Sequence, residues 1–157
     1  GAGVWNRCKL IPLQYFQGIC LEKLGKTSDA KALFEEIADT AAETFTLSYL
    51  RELPSFKAMS LKHLGRNSEA TALISKYLRI WEEGLEEKND GFYGTTAFFF
   101  SFIKDSDKTR RANFLWLIGL AEYALGEKEK ADRYIQESLD NYDNNYSALY
   151  YKKYYMQ

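Results

Sequence analysis

A single histidine, His63, limits what this chain of 157 residues can do as a catalyst. Mechanisms that activate a serine or cysteine through an imidazole base would all have to converge on that one side chain. It stands two residues before a glycine, at the expected end of a helix, with no second imidazole to share a metal ion. The two cysteines, Cys8 and Cys20, are twelve apart, a spacing that makes neither a metal motif nor a disulfide framework, and they are read as buried thiols. Glu82 with Glu86 and Glu83 with Glu87 share a helix face. Glycosidase acids oppose each other across a cleft, so these pairs are expected to form a solvated acidic face. Gly91 and Gly94 bracket Phe92-Tyr93 without the lysine or helix start of a phosphate loop. Asn145-Tyr146-Ser147 fits a glycosylation sequon, a match short enough to arise by chance. The residues therefore predict no catalytic set, no metal and no cofactor.

Composition narrows the partners. The 21 basic and 22 acidic residues leave a formal charge of -1, which gives no electrostatic footprint for nucleic acid or an anionic bilayer. No segment approaches the roughly 20 apolar residues of a membrane span. A chain of this size buries about 68–70% of its unfolded surface, so one hydrophobic core suffices. The sequence opens Gly1-Ala2-Gly3 without an initiator methionine and reads as a piece of something larger.

The elements that must carry these side chains are set by a pattern that occurs three times. An apolar run ends in Leu-Gly at Leu24-Gly25, Leu64-Gly65 and Leu125-Gly126. Five residues after each glycine comes an alanine (Ala30, Ala70, Ala131), and four after that an apolar residue (Phe34, Ile74, Ile135). Seven residues before each glycine the position is small: Gly18, Ala58, Gly119. Small residues at matched distances from a turn mark where two helices cross closely, so the pattern predicts stacked antiparallel helix pairs and an all-α fold.

The predicted pairs cover about 4–50, 54–89 and 106–141, within a single domain 1–157. In the first helix Leu10, Leu13, Phe16 (with Tyr15), Cys20, Leu21 and Leu24 suggest the buried stripe, with Pro12 at a start or kink. Thr27 or Ser28, and later Asn67 or Ser68, are expected caps. The second pair continues through Ala70, Leu73, Ile74, Tyr77, Leu78 and Trp81. An insertion at 90–105 opens on Asn89-Asp90-Gly91 and packs six aromatic residues between Phe92 and Phe102, read as a short buried helix. A final capping helix over 144–156 carries Tyr146, Tyr150 and Tyr154 at intervals of four, with Tyr151 and Tyr155 one step round, a wide aromatic face suited to covering the end of the stack.

The repeated residues resemble the tetratricopeptide repeat, in its small helix position, its turn glycine and its second-helix alanine. The spacing is irregular, with 40 residues from Gly25 to Gly65 and 61 from Gly65 to Gly126, against about 34 in the standard repeat. The order of features, with Phe99 to Ser101 and Arg111 to Asn113, is also similar to the C-terminal repeat region of large bacterial proteins associated with carbohydrate-active enzymes. The first resemblance implies a right-handed stack of helix pairs, a non-catalytic scaffold that binds a protein or peptide on the inner faces of the first helices. Those positions are Tyr15, Ile19, Glu22 and Lys23, then Met59, Lys62 and His63, then Trp116, Leu120 and Tyr123. Such a face can grip an extended peptide or a helix, unless the insertion or the tyrosine-rich tail fills it. The second resemblance implies an accessory module contacting glycan, or the catalytic domain of its own chain. The tail also offers a surface for a homo-oligomer.

Overall fold

The computed structural model describes residues 2–40, 51–87 and 106–154. Those residues form seven α-helices and no strand, as the sequence pattern predicts: α1 (Ala2–Lys23), α2 (Thr27–Ala38), α3 (Leu53–His63), α4 (Asn67–Glu86), α5 (Ser106–Leu125), α6 (Lys128–Asn141) and α7 (Tyr146–Tyr154). The predicted aromatic insertion, like Ala41 to Leu50, lies outside the described residues. The chain divides into two compact units, Gly1–Tyr77 and Leu78–Gln157.

Each Leu-Gly pair builds the same turn. Gly25, Gly65 and Gly126 have φ of 74°, 75° and 92°, a left-handed conformation that side chains with a Cβ rarely adopt. In the first copy the Lys26 amide donates to the Leu21 carbonyl and the Gly25 amide to Glu22, the two bonds of a Schellman stop. Arg66 to Leu61 with Gly65 to Lys62, and Glu127 to Glu122 with Gly126 to Tyr123, repeat both bonds. The residue after each glycine then starts the next helix, since the carbonyls of Lys26, Arg66 and Glu127 accept from Ala30, Ala70 and Ala131. Thr27 is accordingly the first residue of α2 and makes no side-chain cap; Lys26 holds the cap position with no side-chain hydrogen bond. One residue closing one helix and opening the next leaves no room for a serine or threonine cap.

In the first and third pairs the residue seven before the turn glycine meets the residue nine after it. A Cβ on Gly18 would lie 2.6 Å from Phe34 Cε1, and one on Gly119 would lie 2.7 Å from Ile135 Cδ1 and 3.3 Å from the Ala131 carbonyl oxygen. Ala30, Ala70 and Ala131 are buried to 1% or less. Phe34, Ile74 and Ile135 are equally buried, each worth about 1.5–3 kcal/mol of apolar transfer. Of the apolar face expected for α2 (Ala30, Leu33, Phe34, Ile37 and Ala41) Ile37 is also interior, Leu33 is half-buried and Ala41 lies outside the described residues; in α4 Trp81 is interior and Leu73, Tyr77 and Leu78 are half-buried.

Two expectations about apolar faces are corrected. In α1 the buried side is Ile11, Tyr15 and Gly18, whereas Leu10, Leu13, Cys20 and Leu24 are exposed. The stripe is turned by one residue, about 100°, because Gly18 must face Phe34 and the rest of the helix follows that register. Pro12 sits inside α1, which continues through it. In α7 the docked side is Ala148 and Tyr151, both 0% exposed, while Tyr146, Tyr150 and Tyr154 face outward.

Candidate partner-binding surface

In the first unit an aromatic hub joins α1, α2 and α3. The Tyr15 ring meets Phe16, Phe34, Phe56 and His63 at centroid distances of 5.4, 5.9, 5.6 and 5.9 Å. His63 lies flat on Phe34, 4.5 Å away at 14°. Its Nδ1 reaches the Glu22 carboxylate at 3.0 Å, so the last turn of α3 is tied to the last turn of α1. Protonation of the imidazole makes that contact an ion pair. Lys23 and Lys62 adjoin the two partners in sequence, Lys23 exposed and Lys62 half-buried, and half-buried Ile19 lies about one turn before Glu22; these five residues mark a candidate rim.

In the second unit the corresponding helix face is closed. Tyr151 of α7 packs edge-on against Trp116 at 5.7 Å and Tyr123 at 5.4 Å. Burial first, then the neighbouring Tyr123 and Asp132, push its hydroxyl well above the usual phenol range. Glu122 stands where the first two copies carry Leu21 and Leu61, and it is only 6% exposed. Desolvation holds its carboxyl above the ordinary carboxylate value, Lys130 and Arg133 opposing and Glu127 and Glu82 adding to the rise.

The ten predicted contact positions thus separate. Tyr15, Met59, Trp116 and Leu120 are interior, at 9% exposure or less. Their side chains hold helices together, and a ligand could reach them only by displacing that packing. Ile19, Lys62 and Tyr123 are half-buried, and Glu22, Lys23 and His63 are exposed. Helical spacing identifies a face; it does not tell whether a neighbouring helix covers it.

Several other expectations are refined. Cys20 is exposed, on the side of α1 opposite the turn-facing residues, and the Cys8 side chain lies outside the described ones. The four glutamates of α4 are all exposed. Asn145 of the sequon is 6% exposed. Its Nδ2 donates to Ser138 Oγ at 3.1 Å and to the Ala112 carbonyl at 3.4 Å, and its Oδ1 accepts from the Ala148 amide at 3.3 Å. Ser138 Oγ donates to the same Ala112 carbonyl at 2.6 Å. This polar knot positions α7 and leaves no free amide for a glycan.

One close approach escaped the sequence reading. A Cβ on Gly84 would lie 2.6 Å from Phe114 Cε1, and Arg110 Nη1 donates to the Gly84 carbonyl while its Nε and Nη2 hold Asp107 Oδ1. The available signal was a lone glycine inside a run otherwise suited to helix, which costs about 1 kcal/mol unless packing requires it.

Residues 114–145 match the family model described as the tetratricopeptide repeat. The matched stretch contains the Gly119–Ile135 crossing, the Gly126 turn and the Asn145–Ser138 hydrogen bond. No curated protein and no solved structure shows a significant match to the chain.

Proposed function

We propose that this chain is a single repeat domain serving as a non-catalytic scaffold for protein or peptide binding, with its contact surface on the first unit. The observation that carries the reading is the rim formed by Ile19, Glu22, Lys23, Lys62 and His63 at the joined ends of α1 and α3, reachable where the equivalent face of α5 is occupied by Tyr151. The family match supports it, because tetratricopeptide domains generally bind proteins. An extended segment lying along the rim would meet one apolar side chain, one carboxylate and three groups able to carry positive charge. The partner is a separate protein, a peptide or an upstream domain of the same polypeptide; self-association through α7 belongs to the same scaffold role.

Panning a displayed peptide library against the chain tests this. Enriched peptides should lose about tenfold or more in affinity for a Lys23→Glu, Lys62→Glu variant. Absence of enrichment, or capture indifferent to both substitutions, would sink the reading. The accessory role beside a carbohydrate-active enzyme draws no comparable support: Trp81 and Trp116, two of the three tryptophans that could stack on a sugar, are buried.

A further inference from the structure

The outward side of α7 has the composition of an interface. Tyr146, Leu149, Tyr150, Lys153 and Tyr154 fall at i, i+3, i+4, i+7 and i+8, one continuous stripe. The apolar members are 80%, 43%, 53% and 53% exposed in chain order. The three tyrosines alone offer on the order of 300–450 Å² of aromatic surface per copy. Tyr150 and Tyr154 already touch, with centroids 4.5 Å apart and rings tilted by 43°, and Lys153 Nζ lies 5.1 Å from the centre of the Tyr154 ring, so little side-chain ordering remains to be done on docking.

Charge along this helix is polarised. Its last turn carries Lys152 and Lys153 and its first turn carries no acid, but the turn just before it exposes Asp143, three residues ahead of Tyr146. Lys152 is engaged by Gln136 of α6, which leaves Lys153 on the outward stripe. A parallel neighbour would set lysine against lysine. An antiparallel copy sets each Lys153 opposite the partner's first turn, next to the turn that exposes Asp143.

We propose that α7 docks on α7 of a second copy of this chain, antiparallel about a two-fold axis near Leu149 and Tyr150, with Lys153 of each copy meeting Asp143 of the other. The contact is isologous, so it closes at a dimer and does not propagate. Its area, about twice the single-copy figure, lies below the roughly 1,200 Å² of standard interfaces, which makes it a weak dimer governed by concentration. This geometry rests on the self-association named above and specifies its face, symmetry and charge pairing.

Sedimentation velocity on the whole chain, from about 1 µM to about 1 mM, is the test. The expected result is a monomer–dimer equilibrium that Tyr150→Glu weakens at least about tenfold, with helical content by circular dichroism unchanged because the ring is exposed. Lys153→Asp alone and Asp143→Lys alone each place like charges opposite one another twice and weaken association by about tenfold. Mixing those two single variants regenerates both opposite-charge pairs, so the heterodimer should form where neither homodimer does. This mixture tests the geometry even if Tyr150→Glu were to lose helix. A monomer at every concentration overturns both the geometry and the self-association. A dimer indifferent to Tyr150→Glu, an assembly growing beyond two, or a mixture no better than its components overturns the geometry and leaves self-association standing through another face. Peptide capture by the α1 and α3 rim is independent of all three variants.

Discussion

The first and third copies of the repeated pattern share a turn, a glycine crossing and a buried second-helix alanine, yet their first-helix faces end differently. Counting back from the turn glycine, Tyr15 corresponds to Trp116, Ile19 to Leu120 and Glu22 to Tyr123. Both aromatic members of the first correspondence are buried. At the third the fates diverge: Glu22 is exposed and reaches His63, whereas Tyr123 packs against Tyr151. The residue type at this register position differs, and so does what meets the end of the helix. A carboxylate keeps its hydration and accepts a polar partner; a phenol ring invites an aromatic cover. The backbone device is thus constant, and the surface it presents is set by three or four side chains.

The largest test of that contrast removes the cover. Tyr151→Ala should cost about 3–5 kcal/mol in urea unfolding, since a large interior ring leaves a cavity against Trp116 and Tyr123. A cost under 1 kcal/mol would mean that α7 is not what closes the face of α5.

Next come the crossings that the two copies share. Gly18→Ala and Gly119→Ala should each lose about 1–3 kcal/mol by overpacking. The ordering is informative: at Gly18 the obstacle is the stiff Phe34 ring, while at Gly119 the nearest atom is the mobile tip of Ile135. Gly18→Ala should therefore be the worse of the pair, and equal losses would show that both crossings relax alike.

Glu122 sharpens the comparison from inside the third copy. Because burial raises its carboxyl value in the folded state, whatever stability it contributes is complete below the ordinary carboxylate range and is lost as pH rises through the raised value. At neutral pH the ionised group therefore weighs against folding. Glu122→Leu, which restores the residue of the first two copies, should stabilise by about 1–2 kcal/mol at pH 7. The gain should shrink as the solution is acidified. A gain independent of pH would assign the effect to packing alone.

The smallest effect belongs to the exposed tie of the first copy. A double-mutant cycle with Glu22→Gln and His63→Gln should return a coupling below about 1 kcal/mol that falls with added salt. A salt-insensitive coupling would show that the ring stacking of His63 on Phe34 dominates the contact.

Much of the architecture was legible along the chain because its determinants are local. A glycine that must adopt positive φ and a small residue seven positions earlier can be recognised without knowing the fold. The misread elements fail for a common reason. α1 carries apolar side chains around most of its circumference and α7 carries tyrosines over an arc of about 140°, so periodicity had more than one face to choose from. Gly18 in the one and Ala148 in the other, small residues where a neighbour approaches closely, were the better guides. The ten proposed contact positions were read as helix faces, and four of them are interior, because exposure depends on the neighbour and not on the helix itself.

What the sequence settled alone is the set of three turns and the crossings of α1 with α2 and of α5 with α6, since φ and Cβ clearance are properties of single residues and their near neighbours. Which face of α1 is buried, that Tyr151 and not the tyrosine stripe anchors α7, and that the first copy keeps an accessible rim were decided only by tertiary structure. Each of these depends on desolvation by residues distant in sequence: His63 lies 41 positions from Glu22, and no local pattern encodes which distant side chain will arrive.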